Sequence, residues 1–175
     1  RGLAPSQRVR VRSMSAAATN LQVLSPSRKK PKAGDVFVLQ LPDGRFLFGR
    51  VISTEAMAGP SMGGAILIYV YRERSEAKVL PDRGELRPDR LLVSPIMTNQ
   101  QPWTKGYFET IENLPLDGDD VLDQHCFRRW DGRYFDEALN ELPGPVEPVG
   151  DYGVHSFRTI DDEISDALGF DRAPD

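Results

Sequence analysis

The chain has 175 residues, 39% of them hydrophobic and 27% charged, with a net charge of −4, which suits one domain with a full core and is short for two. Its longest apolar run, residues 65–71, falls far below the roughly 20 residues of a membrane-spanning helix, and the arginine-rich residues 8–12 lead into no apolar segment of the signal-peptide kind. Cys126 is the single cysteine, which excludes an intramolecular disulfide, makes the cytoplasm the expected compartment and reads as an inert, half-buried side chain.

The net charge conceals a split. Residues 1–32 hold eight Lys and Arg and no acid, whereas residues 33–175 carry −12. The basic stretch is rich in Ser, Ala, Pro and Arg and cannot bury enough apolar surface to offset its ordering entropy. Residues 1–32 are therefore expected to be disordered, with Met14 as the true start, residues 1–13 as upstream sequence and residues 28–32 as a solvated lead-in. Residues 33–170 are expected to form a single domain, and residues 171–175 a short tail.

The acidic body reads as a succession of short strands. Phe37, Leu39 and Leu41 alternate with Val36 and Val38, so the two sets take opposite faces. Pro42-Asp43-Gly44 is a turn, because Pro fixes φ and Gly tolerates φ > 0. Residues 45–52 return, with Phe46, Phe48 and Ile52 on one side and Leu47 and Val51 on the other. Both faces are apolar, which places this hairpin centrally.

Residues 54–65 are a Gly- and Pro-rich connection, and residues 65–71 a strand covered on both faces. Residues 72–90 are a long exposed loop or a short helix and turn. Residues 91–98 form another strand, with Pro95 at an edge or a bulge. Residues 103–113 alternate as a half-exposed strand. Asp131-Gly132 between two aromatic runs is the strongest hairpin signal. Residues 152–157 are a further strand. Only the end is helical: Thr159 is the expected N-cap, Asp161, Asp162 and Glu163 suit the positive end of the dipole, Ile160, Ile164 and Leu168 share a face, and Gly169 closes it. The expected fold is mainly β (α+β), a curled antiparallel sheet or partly open barrel with the C-terminal helix packed on it.

The chemistry is sparse. His125 and His155 lack partners at metal-ligand spacing, so no metal and no cofactor are expected. A Cys126 nucleophile is disfavoured by its apolar surroundings, which raise rather than lower a thiol pKa. Arg128, Arg129, Trp130, Arg133 and Tyr134 are the ingredients of a nucleic-acid platform, but a body charge of −12 repels a polyanion; nucleic acid and membrane are not expected partners. An acidic body suits a basic protein partner, whose association it accelerates.

Residues 32–52, with Gly34-Asp35-Val36-Phe37, the Asp43-Gly44 turn and Gly49-Arg50-Val51, resemble the opening of the immunity protein 26 family of bacterial polymorphic toxin systems. Residues 102–116 (PWTKGYFETIENLPL), 133–142 and 151–168 are similar to its later parts, so that the resemblance spans about residues 32–169. In the late hairpin the family's pattern places a Gly after Asp-Glu, where this chain has Ala138-Leu139. The resemblance implies a non-enzymatic immunity protein that binds and neutralises a cognate toxin by occlusion. It also gives Gly34, Asp35, Gly49, Arg50 and Trp103 structural roles, with Arg50 in a buried ion pair. An SH3-like adaptor binding a peptide or nucleic acid is the alternative, and an unrecognised enzyme the third reading.

Two acidic clusters are candidate partner contacts: Asp117, Asp119, Asp120 and Asp123 in a Gly-containing loop, and Asp161, Asp162 and Glu163 in the final helix. The helix dipole accounts for the second cluster, so the loop ranks first.

Overall fold

A computed structural model describes residues 19–175. In chain order the strands are β1 (Asp35–Gln40), β2 (Phe46–Ala56), β3 (Ala65–Val70), β4 (Ile96–Thr98), β5 (Glu109–Asn113), β6 (Cys126–Arg128), β7 (Tyr134–Phe135), β8 (Glu141–Leu142), β9 (Val149–Asp151) and β10 (Val154–His155). Two helices accompany them, α1 (Gln101–Thr104) and α2 (Phe157–Leu168), with 3-10 turns at Arg83–Glu85 and Gly118–Asp120. The fold is mostly β, as expected. The strands divide into a six-stranded sheet, ordered β10-β4-β3-β2-β1-β5, and a four-stranded sheet, ordered β8-β7-β6-β9. Neither sheet is wholly antiparallel, because β10–β4 and β6–β9 pair in parallel.

The β1–β2 hairpin forms as its sequence dictates. Gly44 takes φ +87° at the turn, and the register pairs Val38 with Phe48 and Leu39 with Leu47. Alternation then sorts the side chains. Phe37, Leu39, Leu41, Leu47 and Val51 enter one core with Ile160 and Ile164 of α2 and with Trp103 of α1. Val36, Val38, Phe48 and Ile52 enter a second core with Tyr69, Tyr71 and Phe127. The large sheet is thus covered on both faces, by α2 on one and by the small sheet and its loops on the other.

Gly49 and Trp103 belong to the first core. A Cβ on Gly49 would come within 2.2 Å of the Phe37 ring and 2.7 Å of the Tyr69 carbonyl oxygen. Only glycine admits that ring, which also packs edge-on against Trp103 (centroids 5.4 Å apart) and stacks on Phe108 at 4.3 Å. Gly34, at φ +89°, leaves 2.6 Å between a notional Cβ and the Leu114 carbonyl oxygen. Asp35 accepts from the Lys32 amide and the Asn113 side chain, both at 2.9 Å, and so ties the start of β1 to the end of β5.

Two local readings need correction, and one departure from the family's pattern finds its physical form. Residues 19–24 are tied to the body rather than disordered, whereas Arg28, Lys29, Lys30 and Lys32 are exposed, as a solvated lead-in would be; residues 1–18 of that expectation lie outside the described residues. Leu21 is buried, the Gln22 amide donates to the Gln40 carbonyl (3.0 Å), and the Leu24 amide donates to the Gly106 carbonyl (2.8 Å). The segment saturates backbone acceptors that composition does not reveal.

The N-cap of α2 is Ser156, not Thr159: Ser156 is extended (φ −72°, ψ 164°) and its Oγ accepts from the Thr159 amide. The helix therefore begins one turn early, and Asp161, Asp162 and Glu163 lie outside its first turn, so the dipole does not explain them. Finally, the turn after Glu137 is made without glycine. Leu139 itself takes φ +69°, held by an Asp136 carboxylate that accepts from the Ala138 amide (2.9 Å) and the Asn140 amide (2.8 Å).

Candidate functional site

The acidic loop between β5 and β6 is shaped by one buried side chain. In β2 Arg50 shares a face with Phe48 and Ile52, and it is fully buried. Its Nη2 donates to the Leu114 carbonyl at 2.6 Å, and its Nη1 lies 3.3 Å from Oδ2 of Asp120, which is also fully buried. Arg83 (3.1 Å) and Arg87 (3.3 Å) reach the same carboxylate from the loop after β3. Burial disfavours the Asp120 anion, but the Asp117 amide and the Arg83 and Arg50 guanidinium groups outweigh it and hold the carboxyl below its ordinary value.

Asp117 and Asp120 also form a reciprocal cap on the 3-10 turn, each side chain accepting from backbone of the other end. Asp117 further pairs with Arg83 at 3.3 Å. Of the four loop aspartates, then, Asp120 is internal and Asp117 is committed to arginine and to the cap. Asp119 and Asp123 remain exposed and border a depression of about 450 Å³ with Pro88, Asp89, Val121 and Leu122. The sequence offered no structural reason for this acidic loop; the structure supplies one for half of it.

The helix cluster divides in the same way. Asp161 is only 2% exposed and accepts from the amides of Asn20 (2.9 Å) and Leu21 (2.7 Å). Burial raises its carboxyl above the ordinary value despite those two bonds. Glu163 lies 3.0 Å from His155 Nδ1, and the nearby carboxylate holds the imidazole above its usual pKa against a burial penalty. Asp162 is half-buried and lies 3.9 Å from Arg172. These acids do not converge with the β5–β6 loop into one face of free carboxylates.

A second buried polar chain crosses between the sheets. The Tyr69 hydroxyl accepts from the Leu122 amide (3.0 Å) and lies 2.6 Å from His125 Nε2. His125 Nδ1 is 3.1 Å from Glu137 Oε2. The hydroxyl can donate to Nε2 or accept from it while still accepting from Leu122, so the ring tautomer decides the direction of that bond. Burial pushes the Tyr69 phenol up to about 12, while the His125 imidazole beside it holds the Glu137 carboxyl down. No sequence spacing announces this chain, since Tyr69, His125 and Glu137 are 12 to 68 positions apart. Cys126, next to it, is fully buried rather than half-buried.

Among the described residues no cluster of three or more His, Cys, Asp or Glu is arranged to hold a metal ion, and no helix is long and apolar enough to cross a membrane. A family model described as Immunity protein 26 matches residues 32–135. That stretch is more than half of the chain, and it contains Gly34, Asp35, Gly49, Arg50, Trp103 and the acidic loop. Comparisons with curated proteins and with solved structures returned no match.

Proposed function

The chain belongs to the immunity protein 26 family, and from that premise we propose that it binds and neutralises a cognate toxin of a bacterial polymorphic toxin system. Neutralisation is by occlusion, without catalysis, in the cytoplasm of the producing cell. The observation that carries the reading is the family match, which covers both the central hairpin and the Arg50–Asp120 pair that fixes the acidic loop.

The physical design supports it. A contact surface works best when its side chains are held rigidly by residues whose own positions are locked. Asp120, gripped by Arg50, Arg83 and Arg87, fixes the turn from which Asp119 and Asp123 project. Those two acids, with Asp89, line a depression shared with Pro88, Val121 and Leu122, suited to a basic side chain of the partner. The −12 of residues 33–175 steers a basic toxin toward it. Asp162 and Glu163 extend the acidic surface elsewhere, whereas Asp117, Asp120 and Asp161 act on the partner only through the loops and segments they hold.

Co-expression with the toxin encoded by the neighbouring gene tests the proposal. Cells survive and the two proteins co-purify if it is right; equal killing with and without this protein, and no complex, refutes it.

A further inference from the structure

Trp130 stands at the tip of the β6–β7 hairpin with 93% of its surface exposed. An indole left in water forfeits the burial that makes Trp valuable to a fold, and a turn position needs no aromatic. The tip is nevertheless rigid. The Arg129 amide donates to the Arg133 carbonyl (2.8 Å), the Gly132 amide donates to the Arg129 carbonyl (3.0 Å), and Gly132 takes φ +81°. Arg129 grips Asp131 through two hydrogen bonds, and Arg133 pairs with Glu141. The Arg129 guanidinium lies 4.6 Å from the centre of the Phe135 ring, which packs on Tyr152 at 5.5 Å.

A depression of about 410 Å³ opens beside the indole, lined by Arg128, Arg129, Trp130, Asp151 and Tyr152. The Tyr152 hydroxyl is buried and has no hydrogen-bond partner among the described residues. Arg128 is exposed, and among the described residues it has no carboxylate partner. Trp, Tyr and Arg are the residue types that dominate binding energy in protein interfaces, and preorganisation lowers the entropy lost on binding.

We propose that this hairpin tip is an interaction surface on which Trp130 anchors the toxin. The indole enters an apolar recess of the toxin, and a carboxylate at the rim of that recess meets Arg128. The proposal rests on the immunity reading and deepens it by naming the anchor. A nucleic-acid occupant fits less well: Asp131 and Glu141 already neutralise Arg129 and Arg133, which leaves one cation on an acidic body. Trp130 and Arg128 belong to neither core, so replacing them leaves both cores intact.

The test is the affinity of the purified toxic domain encoded by the neighbouring gene for the full chain and three variants, with growth rescue in parallel. Trp130→Ala weakens binding roughly 30-fold or more, and Arg128→Glu weakens it about tenfold. Val79→Ala, at an apolar side chain 66% exposed elsewhere, changes it less than about twofold. If the wild-type chain binds and rescues while Trp130→Ala binds within twofold of it, the hairpin is not the anchor and the immunity reading stands. If the wild-type chain neither binds nor rescues, the immunity reading falls and the anchor with it. Sedimentation of the protein alone and binding to a single-stranded oligonucleotide complete the set. If Trp130→Ala abolishes self-association or oligonucleotide binding but spares the toxin complex, the occupant is a second copy or a nucleic acid and the proposal is overturned.

Discussion

Replacing Asp120 with Ala removes the only carboxylate within ion-pair distance of Arg50 among the described residues. The guanidinium stays where it was, fully buried between the sheets, because β2 is held by register on both sides. Breaking a buried pair by deleting one partner costs about 3–5 kcal/mol, since an uncompensated charge remains in the interior. Domains of this size are stable by about 5–15 kcal/mol, so the loss is a large share of the total. At a urea dependence of about 2 kcal/mol per molar, the unfolding midpoint falls by roughly 2 M. Arg83 touches the same carboxylate but is 45% exposed, so Arg83→Ala costs no more than about 1 kcal/mol. The double variant Arg50→Met/Asp120→Leu recovers most of the loss, because two apolar groups do not need each other's charge. Urea denaturation of the four proteins, followed by fluorescence, measures all of this. If Asp120→Ala costs no more than Arg83→Ala, or if the double variant is as weak as the single, the Arg50–Asp120 pair is not what organises the loop.

Gly49→Ala drives a methyl group into the Phe37 ring and toward the Tyr69 carbonyl; it destabilises by about 3 kcal/mol in the same assay, and a neutral result contradicts the packing. Leu139→Gly relieves a left-handed leucine and stabilises by about 0.5–1 kcal/mol, read as a rise in melting temperature. The His155–Glu163 bond has a pH signature. The folded-state pKa of His155 is raised above 6.5, so its contribution is fully present below the unfolded value and is lost as pH rises through the folded one. Glu163→Gln should therefore cost more stability at pH 5.5 than at pH 8.5, and an equal cost at both refutes the coupling. Changing Asp119 and Asp123 together to Asn slows toxin association several-fold at low salt and flattens its salt dependence; stopped-flow mixing detects it, and an unchanged rate removes this loop from the interface.

What could be seen in the sequence was whatever short-range pattern controls. The alternation over Val36 to Leu41 and the Pro42-Asp43-Gly44 turn specify the central hairpin and both of its buried faces. The Asp131-Gly132 signal places the second hairpin, and a buried partner for Arg50 follows from the resemblance. Long-range pairing was hidden. Asp120 sits among solvated-looking acids, and only the fold brings it under Arg50, seventy positions away. Ser156 and Thr159 are both capping residues three positions apart, and the choice between them is settled by β10, which ends at His155 and leaves Ser156 extended. Asp161 serves the amides of Asn20 and Leu21, which no local rule connects. Trp130 was legible in part: beside Arg128, Arg129 and Arg133 it reads as an ingredient of a binding platform, but only coordinates show Asp131 and Glu141 taking two of those arginines and the indole standing in water.

Neutralisation by stoichiometric occlusion is open to titration of the purified toxin's activity with this protein at concentrations well above the dissociation constant. Occlusion gives a linear loss of activity that ends at one equivalent, with the toxin's mass unchanged and its activity restored when the complex is dissociated. Complete inactivation at a small fraction of an equivalent, or a toxin that stays inactive and altered in mass after separation, would contradict it.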